Sequence, residues 1–123
     1  MDLEINEFDG IGYMPVILND GWRVAIVNSG ENLLEKNLKK IERHLSSDEV
    51  FVLVSGGASL FIGKEMKKHK MEAGKVYNVK KGVWHCIAME ENSKVLIVEN
   101  DDVSERNSEY CTDLQNNPHT DNC

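Results

Sequence analysis

Apolar and polar positions alternate along this chain at two periods, and the change from one to the other divides it. Short runs rich in β-branched and aromatic residues predict strands at Met14–Leu18, Trp22–Val27, Val50–Val54, Ala58–Ile62, Val76–Val79, Trp84–Met89 and Val95–Val98. Turn-forming residues separate them at Asn19-Asp20-Gly21, Ser55-Gly56-Gly57, Gly63, Ala73-Gly74, Lys81-Gly82 and Glu91-Asn92-Ser93. Many short strands, with no long helical pattern after residue 50, predict an all-β sandwich or barrel.

Residues 31–45 carry the second period. Leu34, Leu38, Ile41 and Leu45 fall at i, i+4, i+7 and i+11, a helical stripe that Ser29 could cap. On such a helix, at about 100° per residue, Glu42 and His44 would lie roughly 200° apart and could not share a site. On a strand, Leu38, Lys40, Glu42 and His44 would line one face. The strand is preferred from about residue 38 onward because of the motifs described below. That leaves a short helical turn near residues 31–36.

From about Asp101 the apolar alternation fades. The barrel domain is therefore expected over residues 1–103, followed by a polar, partly mobile tail over 104–123 in which Asn107–Tyr110 could pack as a short segment. His119 in that tail is read as solvent-exposed.

Composition narrows the classes. With 123 residues, 41% hydrophobic and 28% charged, the chain has the make-up of one globular domain with one core. A net charge of −7 argues against a nucleic-acid binder, whose affinity rests on neutralising phosphates. The basic run Lys64–Lys70 is read as a solvated hairpin loop, with a site for an anionic substrate as the alternative. The acidic start at Asp2 and Glu4, with no apolar run near the roughly 18 residues of a membrane span, predicts a cytoplasmic protein without membrane contact. Cys86, Cys111 and Cys123 are odd in number and lack Cys-x-x-Cys spacing, which fits reduced thiols better than a disulfide framework. Cys86, next to His85 on a strand, points to the opposite face and is read as a small buried hydrophobe.

The candidate chemistry begins with Glu49. A glutamate that opens an apolar strand is costly to bury unless something pairs with its charge. Glu49 alternates with Phe51 and Leu53, so one strand face starts with a carboxylate and continues apolar. A pocket with a few polar groups at one end of a hydrophobic interior would read this way.

Two spaced motifs then resemble those of the cupins. In the first, His44 is followed by four residues, Glu49, six residues and Gly56. In the second, Gly74 is followed by five residues, Lys80-Lys81-Gly82, two residues and His85. The chain departs from the family pattern at Glu42 (usually the first histidine of His-x-His), Lys80 (proline), Met89 (asparagine) and Lys36 (glycine). The resemblance covers about residues 42–89 and implies an antiparallel double-stranded β-helix, the jelly-roll or cupin barrel, with both motifs lining a central pocket. Gly56 and Gly82 sit where its hairpins would need positive φ.

His44, Glu49 and His85 are accordingly the candidate metal ligands, with Glu42 either a fourth ligand or a solvent-facing charge. Such a set suits Fe, Mn, Ni or Zn. The alternative is a hydrogen-bonded polar cluster without metal. Tyr77, Phe51 and Arg23 are candidate pocket residues, Arg23 as a partner for a substrate carboxylate. Trp84, opposite His85, is expected in the core or an interface. The expected function is metal-dependent chemistry of the lyase or isomerase type on a small polar metabolite, and the alternative is a non-catalytic binding module for a sugar or similar molecule. Small cupins commonly pair, so the resemblance also implies a homodimer.

Overall fold

A computed structural model describes residues 2–112. Among these residues ten strands, all paired antiparallel, form two five-stranded sheets. The first holds β1 (Gly12–Asn19), β2 (Trp22–Asn28), β9 (Lys94–Glu99), β4 (Glu49–Ser55) and β7 (Val76–Val79), in that spatial order. The second holds β10 (Ser108–Cys111), β3 (Ile41–His44), β8 (His85–Met89), β5 (Ala58–Ile62) and β6 (Lys67–Lys70). The fold is all-β, a jelly roll of the cupin type.

Alternation makes the core. Ala25 and Val27 of β2, Phe51 and Leu53 of β4, Leu60 of β5, Met89 of β8, and Val95 and Ile97 of β9 meet between the sheets. A smaller apolar cluster of Ile41, Trp84 and Cys111 is joined by Met66 and Cys86. Trp84 thus lies on the far side of the sheet from His85, as alternation requires, with the Arg43 guanidinium 4.7 Å from its ring centre. Pro15, which cannot donate to a ladder, sits in the edge strand β1 beside a register shift between Pro15 and Ile17.

The ambiguous segment resolves as two short 3-10 turns, Glu31–Leu33 and Glu35–Asn37, followed by β3. The strand starts at Ile41 rather than residue 38, and Leu45, which a helix would have buried, is exposed. Ser29 does not cap the first turn: Gly30 takes that position, and the Ser29 hydroxyl accepts the N–H of Ser93 instead.

Two features, the basic run and the thiols, depart from the sequence reading, and the short segment allowed for near Asn107–Tyr110 takes a definite form. The stretch Lys67–Lys70, read as loop, is the edge strand β6 paired to β5. Its charged side chains all face solvent and discourage further edge pairing. Beyond residue 103, Ser108–Cys111 forms β10 and pairs along β3, setting Ser108 opposite His44 and Tyr110 opposite Glu42. Among the thiols, Cys86 is free and half-buried, while Cys111 is disulfide-bonded, unlike the expectation of three reduced cysteines. Cys123 and His119 lie outside the described residues. Among the described residues no helix is long and apolar enough to cross a membrane.

Candidate metal centre

Both sheets contribute to one polar end of the interior. In the first sheet Arg23, Glu99 and Glu49 stand in one cross-strand row, since Arg23 pairs with Glu99 and Glu99 with Glu49. Each closes the inward-facing set of its strand: Arg23 with Ala25 and Val27, Glu99 with Val95 and Ile97, Glu49 with Phe51 and Leu53. Across the interior, β3 supplies Glu42 and His44, and β8 supplies His85, which is opposite Glu42 in the ladder.

Four of these side chains converge. One donor atom from each of Glu42, His44, Glu49 and His85 lies within 4.8 Å of the others. Glu49 Oε1 is 2.9 Å from His85 Nε2 and 3.1 Å from His44 Nε2, and Glu42 Oε1 is 3.7 Å from His44 Nε2. The other ring nitrogens are fixed from behind: His85 Nδ1 lies 3.0 Å from the Val83 carbonyl and His44 Nδ1 2.7 Å from Ser108 Oγ. Phe51 buttresses the His85 ring edge to face at 5.9 Å.

The hydrogen-bond inventory constrains the protons. A carbonyl only accepts, so His85 Nδ1 carries the proton in its bond to Val83. His85 Nε2 can then donate to Glu49 only if the ring is an imidazolium. As a neutral imidazole it instead directs a lone pair into the cluster, the form that ligates a metal. His44 has both options, because the Ser108 hydroxyl can donate or accept.

The donor spacing accommodates an ion as well as direct hydrogen bonds. Two ligands about 2.1 Å from a common ion and at right angles to it lie about 3 Å apart. That is the spacing between Glu49 and both imidazoles. Two imidazoles and two carboxylates suit a first-row divalent metal.

Burial and pairing pull the acidities apart. Burial weighs most on Glu49 and favours its neutral form, yet the two imidazoles outweigh it and hold the carboxyl at about 2. Burial likewise opposes the charged form of His44 and His85, but the Glu49 carboxylate raises both. Glu42 shifts upward, chiefly through burial, with His44 opposing and Glu49 adding to the shift. Burial lifts the Cys86 thiol to about 12, so it is not a nucleophile at neutral pH.

A cavity of about 440 Å³ opens onto Glu42, His44 and Glu49. Arg23 lines it too, but its Nε and Nη2 donate to Glu99 Oε1 at 3.0 and 2.8 Å, so its charge is already paired within the protein. Phe51 lies beneath His85 in the core rather than on the cavity wall. Tyr77 points elsewhere, its phenol oxygen accepting the N–H of Glu72 at 2.9 Å. Tyr13, Glu99 and Ser108 line the cavity without having been singled out in the sequence. Of these only Glu99 left a signal, because it ends an apolar alternation just as Glu49 begins one.

Fold and site together define a cupin-type jelly roll with a buried His/Glu cluster that could hold a metal ion. No protein-family model matches the chain, and no curated protein matches it in sequence. Solved structures are similar in fold. A variant of Pac13 from Streptomyces with uridine matches with a TM-score of 0.62 at 11% identity, over 85% of this chain and 82% of that one. Pac13 is described as a unique nucleoside dehydratase. A cupin-2 domain protein from Shewanella frigidimarina matches with a TM-score of 0.55 at 21% identity, over 76% and 84% of the two chains. KdgF from Halomonas sp. matches with a TM-score of 0.56 at 14% identity, over 76% and 81%.

Proposed function

We propose that this chain is a metal-dependent enzyme of the lyase or isomerase type, acting on a small polar metabolite in the cavity beside Glu42, His44 and Glu49. The observation that carries it is the convergence of four ligand-type donors within 4.8 Å, three of which, from Glu42, His44 and Glu49, line that cavity. His44 and His85 would ligate through Nε2, held in orientation by Ser108 and the Val83 carbonyl, and Glu49 through Oε1. Glu42 would complete the set. A divalent ion there supplies Lewis acidity toward a substrate carbonyl or hydroxyl oxygen. The protein's own part is to orient the substrate against that cluster and to exclude bulk water with the apolar walls of the barrel. The expected assembly is a homodimer.

Metal analysis of the purified protein after exhaustive dialysis is the test. Near-stoichiometric metal in the wild type, lost in the His44→Ala/His85→Ala double variant, is the expected result. A folded wild type that takes up no Fe, Mn, Ni or Zn under any loading condition would sink the proposal.

The second reading is a non-catalytic binding module with a metal-free cluster. The direct approach of both imidazoles to Glu49 favours it, because imidazolium donors would satisfy the same contacts. Nitrogen-15 chemical shifts of the two rings separate the readings: imidazolium shifts in protein equilibrated with metal would support the module.

A further inference from the structure

We infer that Glu99, held by Tyr13 and Arg23, is a specificity-determining acceptor that selects neutral, hydroxyl-rich ligands and rejects anionic ones; this rests on the reading of the cavity as the substrate site. Three donors meet on a single oxygen of Glu99. Tyr13 Oη donates at 2.8 Å, Arg23 Nε at 3.0 Å and Arg23 Nη2 at 2.8 Å, all to Oε1. Arg23 Nη2 is anchored further by the Val103 carbonyl at 3.0 Å. Among the described residues no hydrogen bond falls on Oε2, although Glu99 is 5% exposed and lines the cavity. A carboxylate that is fixed on one oxygen and unpartnered on the other, in a cavity wall, is a preorganised acceptor for ligand O–H or N–H donors.

Position and charge define what would be accepted. Glu99 is the cross-strand neighbour of Glu49, so its free oxygen and the His/Glu cluster address two parts of one small molecule. The cavity wall carries four carboxylates, Glu42, Glu49, Glu99 and Glu105, against the Arg23 guanidinium and His44. Arg23 is already neutralised by Glu99. Beyond the ion itself, whose charge Glu42 and Glu49 would offset, a phosphorylated or carboxylated ligand would therefore meet like charge with no unpaired side-chain cation among the described residues of this wall to receive it. The desolvation of its anionic group would be poorly compensated. A neutral polyol, sugar or nucleoside brings the donors that Oε2 lacks. Tyr13 serves as donor only, since burial foremost and the Glu99 bond next push its phenol upward, well away from ionisation.

The test uses the metal-equilibrated full chain and a matched panel of pentoses, hexoses and ribonucleosides with their monophosphates, read by saturation-transfer NMR and titration calorimetry. At least one neutral member is expected to bind about tenfold or more tightly than its monophosphate. Glu99→Gln should weaken that ligand about tenfold and shrink the neutral-over-phosphate ratio, a change that simple loosening of the fold would not give. Tyr13→Phe, at a side chain that is 43% exposed and so safe for folding, should weaken the same ligand several-fold. Monophosphates binding as well as their neutral parents would overturn the inference. So would an affinity indifferent to both substitutions, or a panel in which nothing binds. Metal content measured in the same samples keeps the two claims apart: a metal-loaded protein without this selectivity counts against Glu99 alone, and a protein that never loads counts against the metal centre.

Discussion

Glu49 is the residue on which the site turns, and its titration fixes how the fold responds to acid. Its carboxyl lies at about 2 in the folded chain against an ordinary 4.5, so folding favours the ionised form. The stability this confers is complete above pH 4.5 and is lost as the pH falls toward 2. It is on the order of 3 kcal/mol, shared with the two histidines rather than added to theirs. His44 and His85 are raised above 6.5, so their share is present below pH 6.5 and is lost as the pH rises through the shifted values. Metal-free protein should therefore be most stable between about pH 4.5 and 6.5, and Glu49→Gln should flatten the acid side of that curve. Urea unfolding across the pH range checks it, and a wild type equally stable at pH 3 and pH 5.5 would refute the coupling. Ser108 acts one step back, by fixing His44 Nδ1 at 2.7 Å. Ser108→Ala should leave the fold intact and lower metal affinity about 10- to 100-fold, measured by chelator competition. These residues were unequally legible. His44, Glu49 and His85 stand at motif spacing, and Glu42 stands at the place of the first motif histidine with a different residue type, so that only its position and its strand parity with His44 recommended it. Ser108 and Tyr13 carry no local signal, because a serine or tyrosine becomes a site residue only through which strand lies beside it.

At the level of elements, strands with two-residue alternation were readable and strands without it were not. β2, β4 and β9 bury side chains at every second position, β5, β7 and β8 less regularly, and the spans of all six follow the sequence pattern within a residue or two. β6 has no apolar residue at all, and β10 offers one buried side chain, Cys111, so each is a strand only because a neighbour supplies hydrogen bonds. The helical stripe of residues 34–45 was a coincidence of spacing, since of Leu34, Leu38, Ile41 and Leu45 only Ile41 is buried and Leu45 is exposed, and the strand preferred over it on motif grounds is the one that forms. The hairpin glycines are tied to their turns by backbone angle. Gly56 has φ +80° and Gly82 φ +82°, where an L side chain costs about 1–2 kcal/mol. Gly56 carries a further constraint, since an added Cβ would come within 2.8 Å of Ser93 Cα, and the Ser93 hydroxyl receives the Gly57 N–H. A Cβ on Gly82 meets nothing within 4 Å. Gly56→Ala should consequently destabilise the chain by at least about 1 kcal/mol more than Gly82→Ala, as chemical denaturation would show. Equal losses would mean that the turn at Ser93 yields freely.

For the whole molecule, the defining fact is that the cluster is drawn from both sheets. Glu49 belongs to the first sheet, and Glu42, His44 and His85 to the second. Outside this region the sheets are held face to face by apolar contacts, which resist separation without fixing one relative placement as a directional bond does. An ion coordinated here would tie β3 and β8 to β4, and because the unfolded chain offers no assembled set, its binding free energy would appear as folding stability. At free metal about 100 times its dissociation constant, the gain is about 2.7 kcal/mol. For a domain of this size that corresponds to roughly a 10 °C rise in Tm. The same unfolding scan on chelator-treated protein gives the reference. The His44→Ala/His85→Ala variant should show a Tm indifferent to metal, while Cys86→Ser, at the other potential soft ligand, should respond like the wild type because the Cys86 side chain lies on the opposite face of β8 from His85. A rise in Tm that persists in the histidine double variant would place the metal elsewhere, and no rise in a folded wild type would leave Glu49 and the imidazoles as a hydrogen-bonded cluster that joins the sheets through protons alone.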